Sequence, residues 1–154
     1  MNDEWPHREV QFFHFESAKD GWPIQDWFRN LFEDHRDAVK DRLSYLAGLP
    51  SGAWEDPLFD PLIGEGGISE IRFKEIKCVR GKFCYRIYGF FGQEDEQGEE
   101  SYNFLHAVNK DRRNDRHGKT IAKNRLRELQ NAEADLQPFN MDPDFPVEEA
   151  IQGR

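Results

Sequence analysis

The spacing of apolar residues changes period along this chain, and each change marks a new element. Residues 9–16, EVQFFHFE, place Val10, Phe12 and His14 on one side of an extended segment and Gln11, Phe13 and Phe15 on the other. Rings on both sides predict a strand with two covered faces. His14, set among phenylalanines, reads as a hydrogen-bonded core or edge histidine rather than a ligand. The period then lengthens. Pro23 suits the first turn of a helix, and Ile24, Trp27, Phe28 and Leu31 follow at i, i+3, i+4 and i+7. A second stripe, Val39, Leu43 and Leu46, predicts a helix over residues 34–49, closed by Gly48 and Pro50. Together they predict a helical hairpin laid on a sheet. Residues 51–67, rich in Gly and Pro, read as a core-covering loop anchored by Trp54, Leu58, Phe59, Leu62 and Ile63.

Residues 67–91 organise the rest. Ile71 and Phe73 alternate with Arg72 and Lys74, a half-buried strand. Gly81 suits a tight hairpin turn, and an aromatic return strand follows from Phe83. Alternation puts Phe83, Tyr85 and Ile87 on one face and Cys84, Arg86 and Tyr88 on the other. Arg72, Lys74 and Arg86 are then expected on one wet face. Residues 101–110 predict another strand, with Leu105 and Ala107 on one face and Phe104, His106, Val108 and Lys110 on the other. Residues 120–130 predict a closing helix. This gives one α/β (α+β) domain over residues 1–130. Residues 131–154, with three prolines and six acids against one base, read as an acidic tail that is disordered or folds on a partner.

Charge adds a second pattern. The chain of 154 residues carries a net charge of -9. Residues 68–130 hold 14 Lys and Arg against 10 Asp and Glu, a balance of +4, which leaves 7 against 20, or -13, elsewhere. An acidic whole argues against indiscriminate nucleic-acid binding; a mildly basic centre leaves room for a basic groove. The acids at residues 93–100, QEDEQGEE, read as a solvated loop. No apolar run reaches the length of a membrane span, and the polar opening, MNDEWPHREV, lacks an apolar signal core. A cytoplasmic protein with no membrane association is the expectation. The two cysteines, Cys78 and Cys84, are too few for a zinc site. They can sit opposite each other across the Gly81 hairpin, where an oxidising compartment would allow a disulfide and a cytosolic setting keeps both as ordinary thiols, the reading preferred. No metal and no cofactor is expected.

The candidate chemistry lies on the wet face. Arg72 and Arg86, Lys110 at a strand end and the turn DRRNDRHG, with Arg112, Arg113, Arg116 and His117, can converge there. Fixed cations beside a phosphate stabilise the charge that develops in transesterification. A histidine near its ordinary pKa, His106 or His117, can move the proton.

The order of motifs resembles one family. GxxEIRF, YRIYxFF, FLHAVxK and IAKNRL follow a strand and a helix pair. This order, over residues 10–129, resembles the RelE/HigB toxin superfamily, above all its phage-derived branch. The resemblance implies a compact domain in which an antiparallel sheet carries the N-terminal helix pair and the C-terminal helix on one face. It implies the toxin of a type II toxin–antitoxin system, a ribosome-dependent endoribonuclease that cuts mRNA without metal by 2′-OH attack. Its partners would be an antitoxin of helix-turn-helix type, the ribosome and mRNA. Position by position, Arg72 would contact phosphate, Arg86 would stabilise the pentacoordinate phosphate, Lys110 would contact phosphate or RNA, and His117 would protonate the leaving group. Lys74, Arg112, Arg113 and Arg116 would bind RNA, and His106 falls on a motif of structural character. The alternative is a catalytically inactive module of the same fold that binds protein, or a phage-derived accessory protein. The acidic tail offers a cis cover for the basic face. The nuclease reading requires Arg72 and Arg86 on one side of the sheet and not both locked into ion pairs with acids.

Overall fold

The computed structural model describes residues 9–55, 58–78, 81–92, 98–109 and 115–142, with backbone alone at 74–78 and 81–84. The elements run β1 (Val10–Glu16), α1 (Pro23–Arg29), α2 (Glu33–Ala47), β2 (Phe59–Pro61), β3 (Ser69–Cys78), β4 (Gly81–Phe91), β5 (Glu100–Asn109), α3 (Arg116–Gln130) and β6 (Asp135–Pro138). The strands form one sheet in the order β2-β3-β4-β5-β1-β6. Neighbouring strands are antiparallel except β1 and β5, which pair in parallel with Val10 opposite Glu100. The architecture is α+β with a mostly antiparallel sheet. The expected all-antiparallel sheet fails at β1, whose partner lies far along the chain rather than across a hairpin. No described helix is long and apolar enough to cross a membrane.

The helices divide between the two faces. Ile71 lies opposite Ile87, and Phe73 opposite Tyr85. Tyr85 hydrogen-bonds His35 of α2 at 2.8 Å and meets Trp27 of α1 edge-on, so α1 and α2 cover this face. The next rungs, Arg72 opposite Arg86 and Glu70 opposite Tyr88, belong to the other face. There Tyr88 bonds Asp115, the residue that caps α3. The helices therefore pack on both sides, not on one as expected.

The helix-pair face holds most of the core. Val39, Leu43 and Leu46 of α2 and Ile24 and Phe28 of α1 are buried, as their spacing predicts. Trp54 is buried among Phe12, Phe59, Phe91 and Tyr102 and donates its indole N–H to Leu46 O at 2.9 Å. The loop over residues 51–67 does cover core, but it also contains β2, and Ile63 is exposed rather than anchoring. His14 is a core histidine between Trp22 and Phe139; burial lowers its pKa to about 4.

Two bulges alter the expected faces. Between Tyr88 and Gly89, β5 carries one extra residue, since Tyr88 faces His106 and Gly89 faces Phe104. Phe104 therefore packs on Phe12 in the helix-pair core, while His106, two residues on, stacks against Tyr88 on the α3 face. The predicted sharing of a face by Phe104 and His106 is incorrect for this reason. A Cβ on Gly89 would stand 2.5 Å from Asn103 O, so the strands approach too closely there for any other residue. The second bulge lies at Lys74 and Glu75, two residues opposite one of β4. It interrupts the alternation that assigned Lys74 to the face of Arg72. Register also places Cys78 opposite Gly81, so Cys78 and Cys84 are not cross-strand partners, and Gly81 belongs to the strand rather than to the turn.

The segment read as a tail begins inside the fold. β6 pairs with β1 at the sheet edge, with Leu136 opposite Phe15. Beyond it Phe139 meets Phe28, Phe104 and His14, and Met141 is buried. Asn140 exchanges hydrogen bonds with Gln25, and Lys40 pairs with Asp142. Residues 135–142 thus complete the core on the helix-pair side, away from the face of Arg72 and Arg86. The domain boundary at residue 130 is too early, and residues 143–154 lie outside the described residues.

Candidate functional site

The α3 face of the sheet is built around one buried carboxylate. Glu70 sits on β3 with Arg72 two residues along the same face, and Arg86 lies directly across on β4. Arg72 donates from Nε to Glu70 Oε2 at 2.6 Å and pairs with Asp60 of β2. Glu70 Oε1 lies 4.0 Å from Arg86 Nη1 and makes no hydrogen bond. Glu70 and Arg86 are 2% and 8% exposed, so their attraction acts in an environment of reduced dielectric. Like charges directly opposed in a ladder repel; here Glu70 and Asp60 offset the two guanidinium groups.

The network continues into α3. Arg86 hydrogen-bonds the Tyr88 hydroxyl, and Tyr88 donates to Asp115 Oδ2 at 3.0 Å. Asp115 Oδ1 accepts from Gly118 N at 3.1 Å and so caps the helix. Burial, with the nearby charges of Asp115 and Glu70, pushes the Tyr88 pKa upward; the tyrosine stays neutral and holds its proton for the carboxylate. Gly118 is demanded by this contact. A Cβ there would fall 2.1 Å from Asp115 Oδ2 and 3.0 Å from Tyr88 Cε2.

Beside Tyr88, the His106 ring lies parallel to the phenol ring, 6.3 Å between centroids. Burial and the Arg125 charge lower its pKa to about 4. His106 is therefore neutral at neutral pH and unsuited to donating a proton as imidazolium. Arg125 reaches across from α3 to Leu105 O at 2.8 Å, pairs with Asp20 at 3.4 Å and lies over the Phe15 ring at 5.3 Å. It joins α3 to β5, β1 and the turn after β1.

Of the expected site residues, Arg72 and Arg86 come together on one face, but both are ion-paired with acids, Arg72 with Asp60 and Glu70 and Arg86 with Glu70, an arrangement that counts against the nuclease expectation. His117 and Arg116 follow Asp115 in the exposed first turn of α3, which starts earlier than the expected residue 120. Lys110, Arg112 and Arg113 lie outside the described residues, and for Lys74 the backbone alone is described. The face is less wet than alternation suggested, because Arg86 is buried. Tyr88 falls on the face of Arg86 as alternation predicts, whereas Glu70, Asp60 and Asp115 were missed by sequence reasoning. Glu70 could have been found: it shares the face of Arg72 and is the acid nearest to it in the strand. Asp60 lies on β2, a strand of three residues too short to show a period, and Asp115 is the cap of α3, so no periodicity reveals either.

Among the described residues, no group of three His, Cys, Asp or Glu is placed to hold a metal ion. Chemically, the arrangement offers a carboxylate with one oxygen held by Arg72 and the other without a hydrogen bond, beside a second guanidinium. Such a group can accept a proton while the neighbouring cation stabilises a developing phosphorane. No protein-family model matches the chain, and no curated protein matches it.

Proposed function

We propose that the chain is a RelE/HigB-like toxin acting as a ribosome-dependent mRNA endoribonuclease. The single observation behind this reading is the Arg72–Arg86 rung, two guanidinium groups on one face of the sheet with the buried Glu70 between them. In this reading Glu70 accepts the 2′-OH proton through Oε1, and Arg86 stabilises the pentacoordinate phosphate. Arg72 orients Glu70, and His117, in the exposed first turn of α3, returns a proton to the 5′ leaving oxygen. Lys110 and the cations of the preceding turn, with Arg116, hold the RNA, and an antitoxin neutralises the protein.

A second reading has its own observation. Arg72 is taken up by two acids, Asp60 and Glu70, and Arg86 is ion-paired with Glu70 at 4.0 Å. If this network serves stability alone, the chain is a non-catalytic RelE-like module that docks a protein partner. Induced expression of wild type, Arg86→Ala and Glu70→Gln separates the two. The nuclease reading expects growth arrest by wild type, lost in both variants. Arrest by all three equally, or by none, favours the module.

A further inference from the structure

Arg86 stands between two acceptors. Tyr88 lies two residues along β4 and shares its face. Glu70, the register partner of Tyr88, lies on the diagonal across the ladder, within reach of a long side chain. Arg72, directly opposite Arg86, takes Glu70 Oε2 at 2.6 Å. The other oxygen, Oε1, is buried and lies 4.0 Å from Arg86 Nη1 with no hydrogen bond. A guanidinium and a carboxylate left to themselves close to about 2.7–2.9 Å, and a buried oxygen without a hydrogen bond costs free energy. Glu70 and Arg86 are both buried, so little water screens the attraction that should close the gap. Something holds the pair apart.

The Tyr88 hydroxyl accounts for the gap. Its oxygen receives a hydrogen bond from Arg86, and its own proton goes to Asp115 Oδ2 at 3.0 Å. Asp115 accepts at both oxygens, with Oδ1 taking the Gly118 N–H at 3.1 Å. A hydroxyl whose proton is engaged in this way presents its lone pairs to Arg86. Capping α3 needs Oδ1 alone; Oδ2 reaches back to the sheet. The same Asp115 begins the turn on which Arg116 and His117 stand, so that turn and Arg86 are tied through one phenol.

We propose that Tyr88 is a positioning residue, whose hydroxyl holds the Arg86 guanidinium off Glu70 Oε1 and so keeps that oxygen for the 2′-OH proton. Without the hydroxyl, Arg86 closes on Glu70. The base then loses its open oxygen and the phosphate loses its cation in one movement. The role in cleavage rests on the nuclease reading above; the spacing of Arg86 from Glu70 does not.

The test compares full-length wild type, Tyr88→Phe and Asp115→Asn. Phenylalanine keeps the ring and removes the hydroxyl. Asparagine caps a helix as well as aspartate does, but it turns an N–H group towards Tyr88, so the tyrosine proton loses its acceptor. Crystal structures give the distance from Arg86 to Glu70 Oε1. Cleavage of ribosome-bound mRNA over a range of mRNA–ribosome complex concentrations separates the maximal rate from the half-saturating concentration. In Tyr88→Phe, Arg86 should close on Oε1 to hydrogen-bond distance, below about 3.2 Å. The maximal rate should fall at least about tenfold, the scale of a reacting group misplaced by an ångström or less. The half-saturating concentration should change less than about threefold, because the lost contact acts in the transition state. Asp115→Asn should lose rate to a similar extent while unfolding within a few degrees of wild type. A role confined to capping would leave that rate unchanged. Arg86 remaining near 4.0 Å from Oε1 in Tyr88→Phe, or a rate within about threefold of wild type in either variant, would overturn the proposal. Wild type that cuts no mRNA overturns the nuclease reading, and the Arg86–Glu70 distance in Tyr88→Phe then still decides whether the hydroxyl sets the spacing.

Discussion

The two faces of the sheet solve the same problem with different chemistry. On the helix-pair face, Ile71, Phe73, Tyr85 and Ile87 meet α1 and α2, and buried apolar area dominates, with the Tyr85–His35 hydrogen bond set within it. On the α3 face, the intervening residues of the same two strands are Glu70, Arg72, Arg86 and Tyr88. Their energy comes from paired charges and directed hydrogen bonds, and each member needs the others. An apolar face tolerates loss of one part in proportion to its size. A charged face with one central acid does not, because removing Glu70 takes that charge partner from Arg86 and leaves Arg72 with Asp60 alone. That asymmetry is what one expects if the α3 face is kept for something other than stability.

The comparison is broken most severely by Glu70→Ala. Two adjacent guanidinium groups, one of them buried, then face each other with Asp60 alone to offset them, and stability should fall by about 4 kcal/mol. Urea unfolding checks this; a loss no larger than that of a single hydrogen bond would show that Glu70 does not hold the rung. Phe139→Ala tests the other face. It removes a ring packed on Phe28, Phe104 and His14 and should cost about 3 kcal/mol. A neutral result would mean that residues 135–142 are dispensable to the core.

Acid should act on both faces through one histidine on each. His14 and His106 each have a folded pKa lowered to about 4 by burial, below the ordinary value of 6.5. Between those values the unfolded chain binds more protons than the folded one. This contribution to stability is therefore complete above about pH 6.5 and is lost as pH falls towards 4. The slope approaches about 1.4 kcal/mol per pH unit for each histidine. Unfolding curves from pH 7 to 4.5 should show the fall, and His106→Gln should reduce its steepness. A flat profile would contradict the burial of both rings. The smallest expected effect is Tyr88→Phe, about 1 kcal/mol for the hydrogen bond to Asp115.

The apolar face was readable in the sequence because alternation reports burial. Ile71, Phe73, Tyr85 and Ile87 were placed on one face, and Arg72 and Arg86 on the other, by period alone. The spacing of Ile24, Phe28, Val39 and Leu43 likewise located α1 and α2. What alternation cannot report is an inserted residue. The bulge beside Gly89 moved Phe104 to the face opposite His106, and the bulge at Lys74 and Glu75 interrupts the alternation on which the expected row of cations rests. β6 was missed because its four residues, Asp135–Pro138, are polar and carry no strand pattern; its place is fixed by Phe139 and Met141 further on. The site was half legible. The arginines and Tyr88 stand out by alternation as sharing a face, whereas Asp60 lies on a strand too short to show a period and Asp115 is the cap of α3.

The central claim is that the Arg72–Glu70–Arg86 group cleaves RNA. Mapping mRNA 5′ ends in cells after brief induction tests it most directly. Metal-free 2′-OH attack predicts new 5′-hydroxyl ends within translated regions for wild type and their loss in Arg86→Ala. Growth arrest by wild type with no new ends would contradict it and leave a protein-docking module on the same sheet.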